Sequence, residues 1–123
     1  MQRIMLKSKI HRAMLTATEL DYIGSITLDA DLLEQADILP GEQVHVLNIN
    51  SGDRFITYAI AAEKKSGAVI LNGAAARLGQ IGDPLIILSY AGVDDRDSRG
   101  HTSRVVFVDQ RNRVQEIRDA APD

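Results

Sequence analysis

The 123-residue chain has no cysteine and no tryptophan, and its aromatic residues are three tyrosines and two phenylalanines. Without cysteine there is no disulfide, no thiolate nucleophile, no iron–sulfur cluster and no Cys-based zinc site. The absence also suits a reducing compartment. There is no excess of basic charge. Fourteen Lys and Arg stand against 17 Asp and Glu, a net charge of −3. A duplex-nucleic-acid binder needs a basic footprint, so no nucleic-acid partner is expected. Long apolar runs are missing too. The stretch 84–91 is short and broken, well below the roughly 20 residues a membrane span requires. Residues 1–7 carry charge but no sustained apolar core or small-residue cleavage site, so they do not read as a signal peptide. These absences lead us to expect a cytoplasmic protein without a membrane partner. His11, His45 and His101 are dispersed, with no i, i+4 pairing, so no metal site is expected. A Gly-x-Ser-x-Gly elbow is absent, and Gly73-Ala74-Ala75-Ala76 lacks the lysine of a phosphate loop.

What remains is a chain with 45% apolar and 25% charged residues, which reads as one soluble globular domain over residues 1–123. A chain of this size buries roughly two-thirds of its unfolded surface, enough for a core without staples. Strand signals dominate. Residues 43–49 alternate between apolar and polar, and 54–60 return after the turn Asn50-Ser51-Gly52-Asp53. Further strands are expected over 69–71, 85–90, 104–108 and 114–117, where β-branched residues are frequent. Helices are short. Asp29 caps 30–36, with Leu32, Leu33 and Ala36 on one face, and Leu39-Pro40-Gly41 stops it. Short helices are also expected over 74–78 and 93–98. Residues 118–123 lack an apolar pattern and are expected to fray.

Two stretches resemble each other. Ile26-Thr27-Leu28-Asp29, a short helix, Pro40-Gly41-Glu42, then Val44 and Val46 form one. Val69-Ile70-Leu71-Asn72, a short helix, Ile81-Gly82-Asp83, then Leu85 and Ile87 form the other. A genuine duplication would suggest a pseudo-twofold barrel, whose closure removes exposed edges. Any two strand–helix–strand units also look alike at this length, and the sequence leaves both readings open.

Gly24-Ser25 opens the strand at Ile26. As a pair of ordinary turn residues it needs no further explanation. It also permits self-cleavage chemistry. A serine hydroxyl can attack the preceding carbonyl and move the acyl group from nitrogen to oxygen. A preceding glycine tolerates the strained backbone this requires. The ester can then eliminate, cutting the chain and leaving an α-keto acyl group on the new N-terminus.

Four ordered motifs surround this pair. They are the stretch from Met5 to Ala13, Tyr22-Ile23-Gly24-Ser25-Ile26-Thr27-Leu28-Asp29, Thr57-Tyr58-Ala59-Ile60 and Asn72-Gly73-Ala74-Ala75-Ala76. Together they resemble the pyruvoyl-dependent L-aspartate 1-decarboxylases, over about residues 1–109. The resemblance implies a mainly β fold, a double-psi β-barrel with a few short helices, in agreement with the internal repeat. It implies a precursor cut between Gly24 and Ser25 into chains 1–24 and 25–123, with Ser25 converted to a covalent pyruvoyl group. No metal and no pyridoxal phosphate are then needed, because the pyruvoyl carbonyl is itself the electron sink for decarboxylation.

The same resemblance distributes the roles. Thr57 holds the Gly24 carbonyl oxygen during the acyl shift, Asn72 lines the site, and Tyr22 and His11 lie near the cleavage point. The backbone of Gly73, Ala74 and Ala75 borders the substrate. Lys9 and Arg54 bind the two carboxylates of L-aspartate, a task for which a guanidinium is well shaped. Tyr58 protonates the carbanion equivalent left by loss of CO2. Read on the residues alone, Lys9 and Arg54 are solvated charges, Tyr58 a rim aromatic, Thr57 a strand residue and Asn72 a helix cap. The expected product is β-alanine, for pantothenate synthesis, made by a homotetramer with the possible help of a maturation protein. Two other readings stand beside it: a non-catalytic β-barrel that binds a protein partner, and a pyruvoyl decarboxylase acting on glutamate.

Overall fold

A computed structural model describes residues 1–120. In chain order its elements are β1 (Gln2–Met14), β2 (Ala17–Glu19), β3 (Ser25–Asp29), α1 (Ala30–Ala36), β4 (Gln43–Asn48), β5 (Arg54–Ala62), β6 (Val69–Asn72), a 3-10 turn (Gly73–Leu78), β7 (Pro84–Asp94), α2 (Asp95–Ser98), β8 (Ser103–Val108) and β9 (Val114–Ala120). The protein is mainly β, as the strand signals predict.

The strands hydrogen-bond in the order β2-β6-β3-β5-β4-β7-β1-β8-β9. This sheet is not a closed cylinder, but the chain joins its distant parts. β1 and β2 are separated only by Leu15 and Thr16. The Leu15 N–H donates to the Asp83 carbonyl, and the Thr16 N–H to the Val69 carbonyl. The outcome is barrel-like, with one apolar interior. Ile10, Leu15, Ile26, Leu28, Val44, Val46, Ala59, Val69, Leu71, Leu85, Ile87 and Val106 are fully buried within it. Alternation explains most of this set, since successive strand residues face opposite sides.

The internal repeat has a structural counterpart. β3-α1-β4 and β6-turn-β7 are both strand–helical turn–strand units. Their first strands pair antiparallel with each other, Ser25 opposite Asn72 and Leu28 opposite Val69. Their last strands do the same, His45 opposite Leu88 and Asn48 opposite Leu85. Each first strand also has one parallel neighbour, β5 beside β3 and β2 beside β6. The two units therefore relate to each other by a pseudo-twofold arrangement.

Helix α1 forms where expected. The Asp29 carboxylate accepts from the Asp31 N–H at its start, and Asp37 adopts a left-handed conformation at its end. Leu32, Leu33 and Ala36 are buried. The expected helix over 74–78 is a 3-10 turn beginning at Gly73. Residues 93–98 are only partly helical, because β7 runs on to Asp94 through pairing with Gln2–Met5 of β1. β9 continues to Ala120, three residues past the expected strand end, with Arg104 and Asp119 paired at 3.0 Å. Of the tail expected to fray, residues 121–123 lie outside the described residues.

Candidate active site

Ser25 is the first residue of β3 and is 1% exposed. Its hydroxyl donates to the Ile23 carbonyl at 3.0 Å and accepts from the Asn72 side-chain amide at 3.0 Å. The same amide nitrogen donates to Thr27 Oγ1 at 2.8 Å. Asn72 is 2% exposed and sits directly opposite Ser25 in the β3–β6 register. It makes no side-chain cap to the following turn, so the cap reading does not apply. A buried amide has to be satisfied, and here two hydroxyls from β3 satisfy it.

Gly73 follows at a φ of +64°, a left-handed conformation that favours glycine. It packs on the backbone of the other side of the Gly24–Ser25 bond. A Cβ placed on Gly73 would lie 2.7 Å from Gly24 Cα and N and 2.8 Å from the Tyr22 carbonyl oxygen. Tyr22 itself is exposed, and its N–H bonds to the Glu19 carbonyl at 3.2 Å. Ala75 is buried and Ala74 exposed on the turn after Gly73.

β5 runs parallel to β3, with Ile26 opposite Ala59. One step back along both strands are Ser25 and Tyr58, and two steps back are Gly24 and Thr57. Tyr58 is part-exposed on the outer face, whereas Thr57 stands opposite the buried Val44. Arg54 shares the outer face with Tyr58, since residues two apart on a strand face the same way. Its guanidinium donates to the Tyr90 hydroxyl at 3.0 Å and lies 3.4 Å from His45 Nδ1. His45 and Tyr90 meet edge to face at 4.9 Å. Lys9 of β1 pairs with Leu88 on β7, which in turn pairs with His45. Lys9 therefore lies in one row across the sheet with His45.

Ser25, Asn72, Gly73, Gly24 and the Tyr22 carbonyl thus form one compact group. Lys9 and Arg54 stand on the outer face, with Arg54 engaged by Tyr90 and His45. His11 packs edge-on against Phe107 at 5.6 Å, on the β1–β8 side. Its buried Nδ1 has no hydrogen-bond partner among the described residues. Burial, reinforced by the charges of Lys9 and Arg12, lowers its pKa below the ordinary imidazole value. His101, whose role the sequence leaves open, bonds the Leu6 carbonyl at 2.7 Å. Sequence reasoning missed Thr27, Tyr90 and His45 as contacts of the candidate residues. Thr27 had a visible signal, standing two residues from Ser25 on the same strand face. The Tyr90–Arg54 contact depends on the β4–β7 register and had none.

The described residues contain no group of three or more His, Asp or Glu side chains able to hold a metal ion. No helix among them is long and apolar enough to cross a membrane. The Gly–Ser junction joins an exposed Gly24 to a buried Ser25, with Asn72 bonded to the serine hydroxyl and Gly73 packed on the Gly24 backbone. The model of the aspartate decarboxylase family matches residues 1–115. An aspartate 1-decarboxylase of Thermoanaerobacter pseudethanolicus is 58% identical over 113 residues, covering 92% of this chain and 97% of the relative. That of Moorella thermoacetica is 52% identical, covering 96% and 92%. That of Chromobacterium violaceum is 52% identical, covering 99% and 97%. The chain belongs to the aspartate decarboxylase family.

Proposed function

We propose that this protein converts L-aspartate to β-alanine and CO2, supplying pantothenate synthesis in the cytoplasm, after cutting its own chain between Gly24 and Ser25. The observation that carries the reading is the paired grip on that junction, Asn72 on the Ser25 hydroxyl and Gly73 against the Gly24 backbone. Family membership supplies the activity.

The cut balances as follows. Ser25 Oγ attacks the Gly24 carbonyl carbon, the C–N bond breaks, and the hydroxyl proton passes to the released amine. The ester then loses the Ser25 Cα proton and its Cβ–Oγ bond, freeing the Gly24 carboxylate. The enamine left at residue 25 takes up water and releases ammonia, which leaves a pyruvoyl group. The chain fits this group. Residue 25 stays at the head of a strand flanked by β5 and β6, and Asn72 with the Gly73–Ala75 backbone would hold it. When present, the group supplies the electron sink for loss of CO2. Thr57 assists the cut by holding the Gly24 carbonyl oxygen. Arg54 and Lys9 bind the substrate carboxylates, and Tyr58, one residue before the Ile26–Ala59 pair, delivers the proton. Tyr22 and His11 have supporting roles in processing.

We also read the protein as a homotetramer. Exposed Ile56 and Tyr58 beside Arg54 on one sheet face support association, because contiguous apolar surface tends to be covered.

Intact-mass spectrometry under denaturing conditions tests the reading. Two fragments breaking after Gly24, the larger lighter by one ammonia than a Ser-ended chain, are expected. Ser25→Ala should stay in one piece and be inactive. An active, uncut Ser25→Ala protein would refute the proposal. Product assays with aspartate and glutamate check the substrate, and added cell extract reveals any maturation protein.

A further inference from the structure

We propose that Gly73 is a positioning residue for self-cleavage: its missing side chain sets the place of the Gly24 peptide in front of the Ser25 hydroxyl. The inference rests on the self-cleavage reading above and adds a requirement to it. Asn72 and Gly73 are consecutive, and they divide the scissile junction between them. Asn72 fixes the nucleophile by a 3.0 Å hydrogen bond from its amide to Ser25 Oγ. Gly73 fixes the electrophile by direct backbone packing.

The packing leaves no room for a Cβ. All three nearest atoms are backbone atoms, at 2.7 Å, 2.7 Å and 2.8 Å from where that Cβ would stand. Backbone cannot swing aside as a side-chain end can, so the 22–24 segment would have to retreat by most of an ångström to reach ordinary van der Waals distance. On its own Cβ side Gly24 has nothing within 4 Å among the described residues. The segment can therefore move, and it would move away from Gly73. The carbonyl carbon that Ser25 Oγ must reach is bonded to Gly24 Cα, one of the atoms displaced. A misplacement of about 1 Å in a reacting pair costs on the order of a hundredfold in rate.

Gly73→Ala and Gly73→Asn separate the contact from backbone strain. Both add the Cβ, but asparagine tolerates a positive φ better than alanine. Gly82→Ala is the control. Gly82 has a φ of +96° and nothing within 4 Å of its Cβ position, so it carries the strain without the contact. Each protein is incubated and its intact mass followed with time, with far-UV circular dichroism and a melting curve to establish folding. Hydroxylamine is added to parallel samples to cut any ester as it forms, which leaves a Gly24 hydroxamate and a Ser-ended chain.

The unsubstituted protein and Gly82→Ala should cleave at similar rates. Folded Gly73→Ala and Gly73→Asn should cleave at least about a hundredfold more slowly, and hydroxylamine should release no fragment from them. A merely destabilised protein would still form the ester. Wild-type-like cleavage by either folded Gly73 variant would overturn the proposal, as would ester accumulation trapped by hydroxylamine. Failure of both variants to show a native melting transition would also overturn it, since Gly73 would then serve the fold. An unsubstituted protein that never cleaves would instead remove the self-cleavage reading itself.

Discussion

Asp29 is the residue whose loss should cost the fold most for a single polar group. It is 1% exposed at the end of β3. Its Oδ1 accepts from the N–H groups of Asp31 and Lys65 at 2.8 Å each, and its Oδ2 accepts from the buried N–H of Gly67 at 2.8 Å. One carboxylate thus caps α1 and ties the 63–67 turn, which leads into the strand bearing Asn72, to the strand bearing Ser25. Asp29→Ala removes the cap, at about 1 kcal/mol. It leaves the Gly67 N–H buried and unpaired, at about 1–3 kcal/mol. The Lys65 N–H lies in an exposed turn and can turn to water. The sum is about 2–4 kcal/mol, or a fall in Tm of about 8–20 °C for a chain of this length. Asp29→Asn keeps one acceptor oxygen but sets an amide donor against the Gly67 N–H, so about 2 kcal/mol is expected. Urea unfolding followed by circular dichroism measures both, at fixed protein concentration. A Ser25→Ala background keeps the chain unbroken. A loss below about 1 kcal/mol for Asp29→Ala would refute the claim that this carboxylate is the clamp.

Two further predictions concern Glu42 and Tyr58. Burial pushes the Glu42 carboxyl up, but bonds from the Ser89 hydroxyl, the Leu39 N–H and Lys7 outweigh it and hold the pKa below its usual value. A depressed folded pKa gives stability that is present above the unfolded value and lost as pH falls through the folded one. Wild type should therefore exceed Glu42→Gln by about 1–2 kcal/mol near neutrality. Urea titrations should show that margin shrinking as pH falls through and below the ordinary carboxylate range, and a margin independent of pH would contradict the assignment. Tyr58→Phe should cleave normally, since no part of its hydroxyl is needed at the Gly24–Ser25 bond, but should turn over about 10²–10⁴-fold more slowly. Full decarboxylase turnover by that variant would remove Tyr58 as the proton donor.

The parts of the fold legible in the sequence are those fixed by neighbours along the chain. The β4–β5 hairpin follows from alternation on either side of a turn that the Asn48 side chain organises, accepting from the N–H groups of Asn50 and Ser51. Helix α1 follows from its Asp29 cap and three buried residues. β1 is the longest strand, yet it gives no clean alternation. Its register slips between Leu6 and Ser8 and again between Ile10 and Ala13, and each bulge shifts the period of two. The charges of residues 94–97 suggest a surface helix, but β1 draws Val93 and Asp94 into β7 from the other end of the molecule. In the site, the Ser25 and Asn72 positions are marked by motifs alone. Their pairing, and the absence of space beside Gly73, come from antiparallel register across 47 residues of chain, which no local pattern encodes.

The position of β1 has a consequence for the proposed cut. β1 lies between β7 and β8, antiparallel to one and parallel to the other, and β2 lies against β6. The proposed cut after Gly24 would therefore release nothing. It would leave an inner strand of the sheet on a separate peptide, held by hydrogen bonds and the buried side chains of Ile10, Ala13 and the following Leu15. Before the cut that strand finds its place by loop closure within one chain; afterwards the same step becomes an encounter between two molecules. Recovery from unfolding would then depend on dilution, so a cut form would inherit an architecture that the uncut chain alone can assemble at any concentration. Folding would then have to precede the proposed cut, because Asn72 reaches the Ser25 hydroxyl only when β3 and β6 have paired.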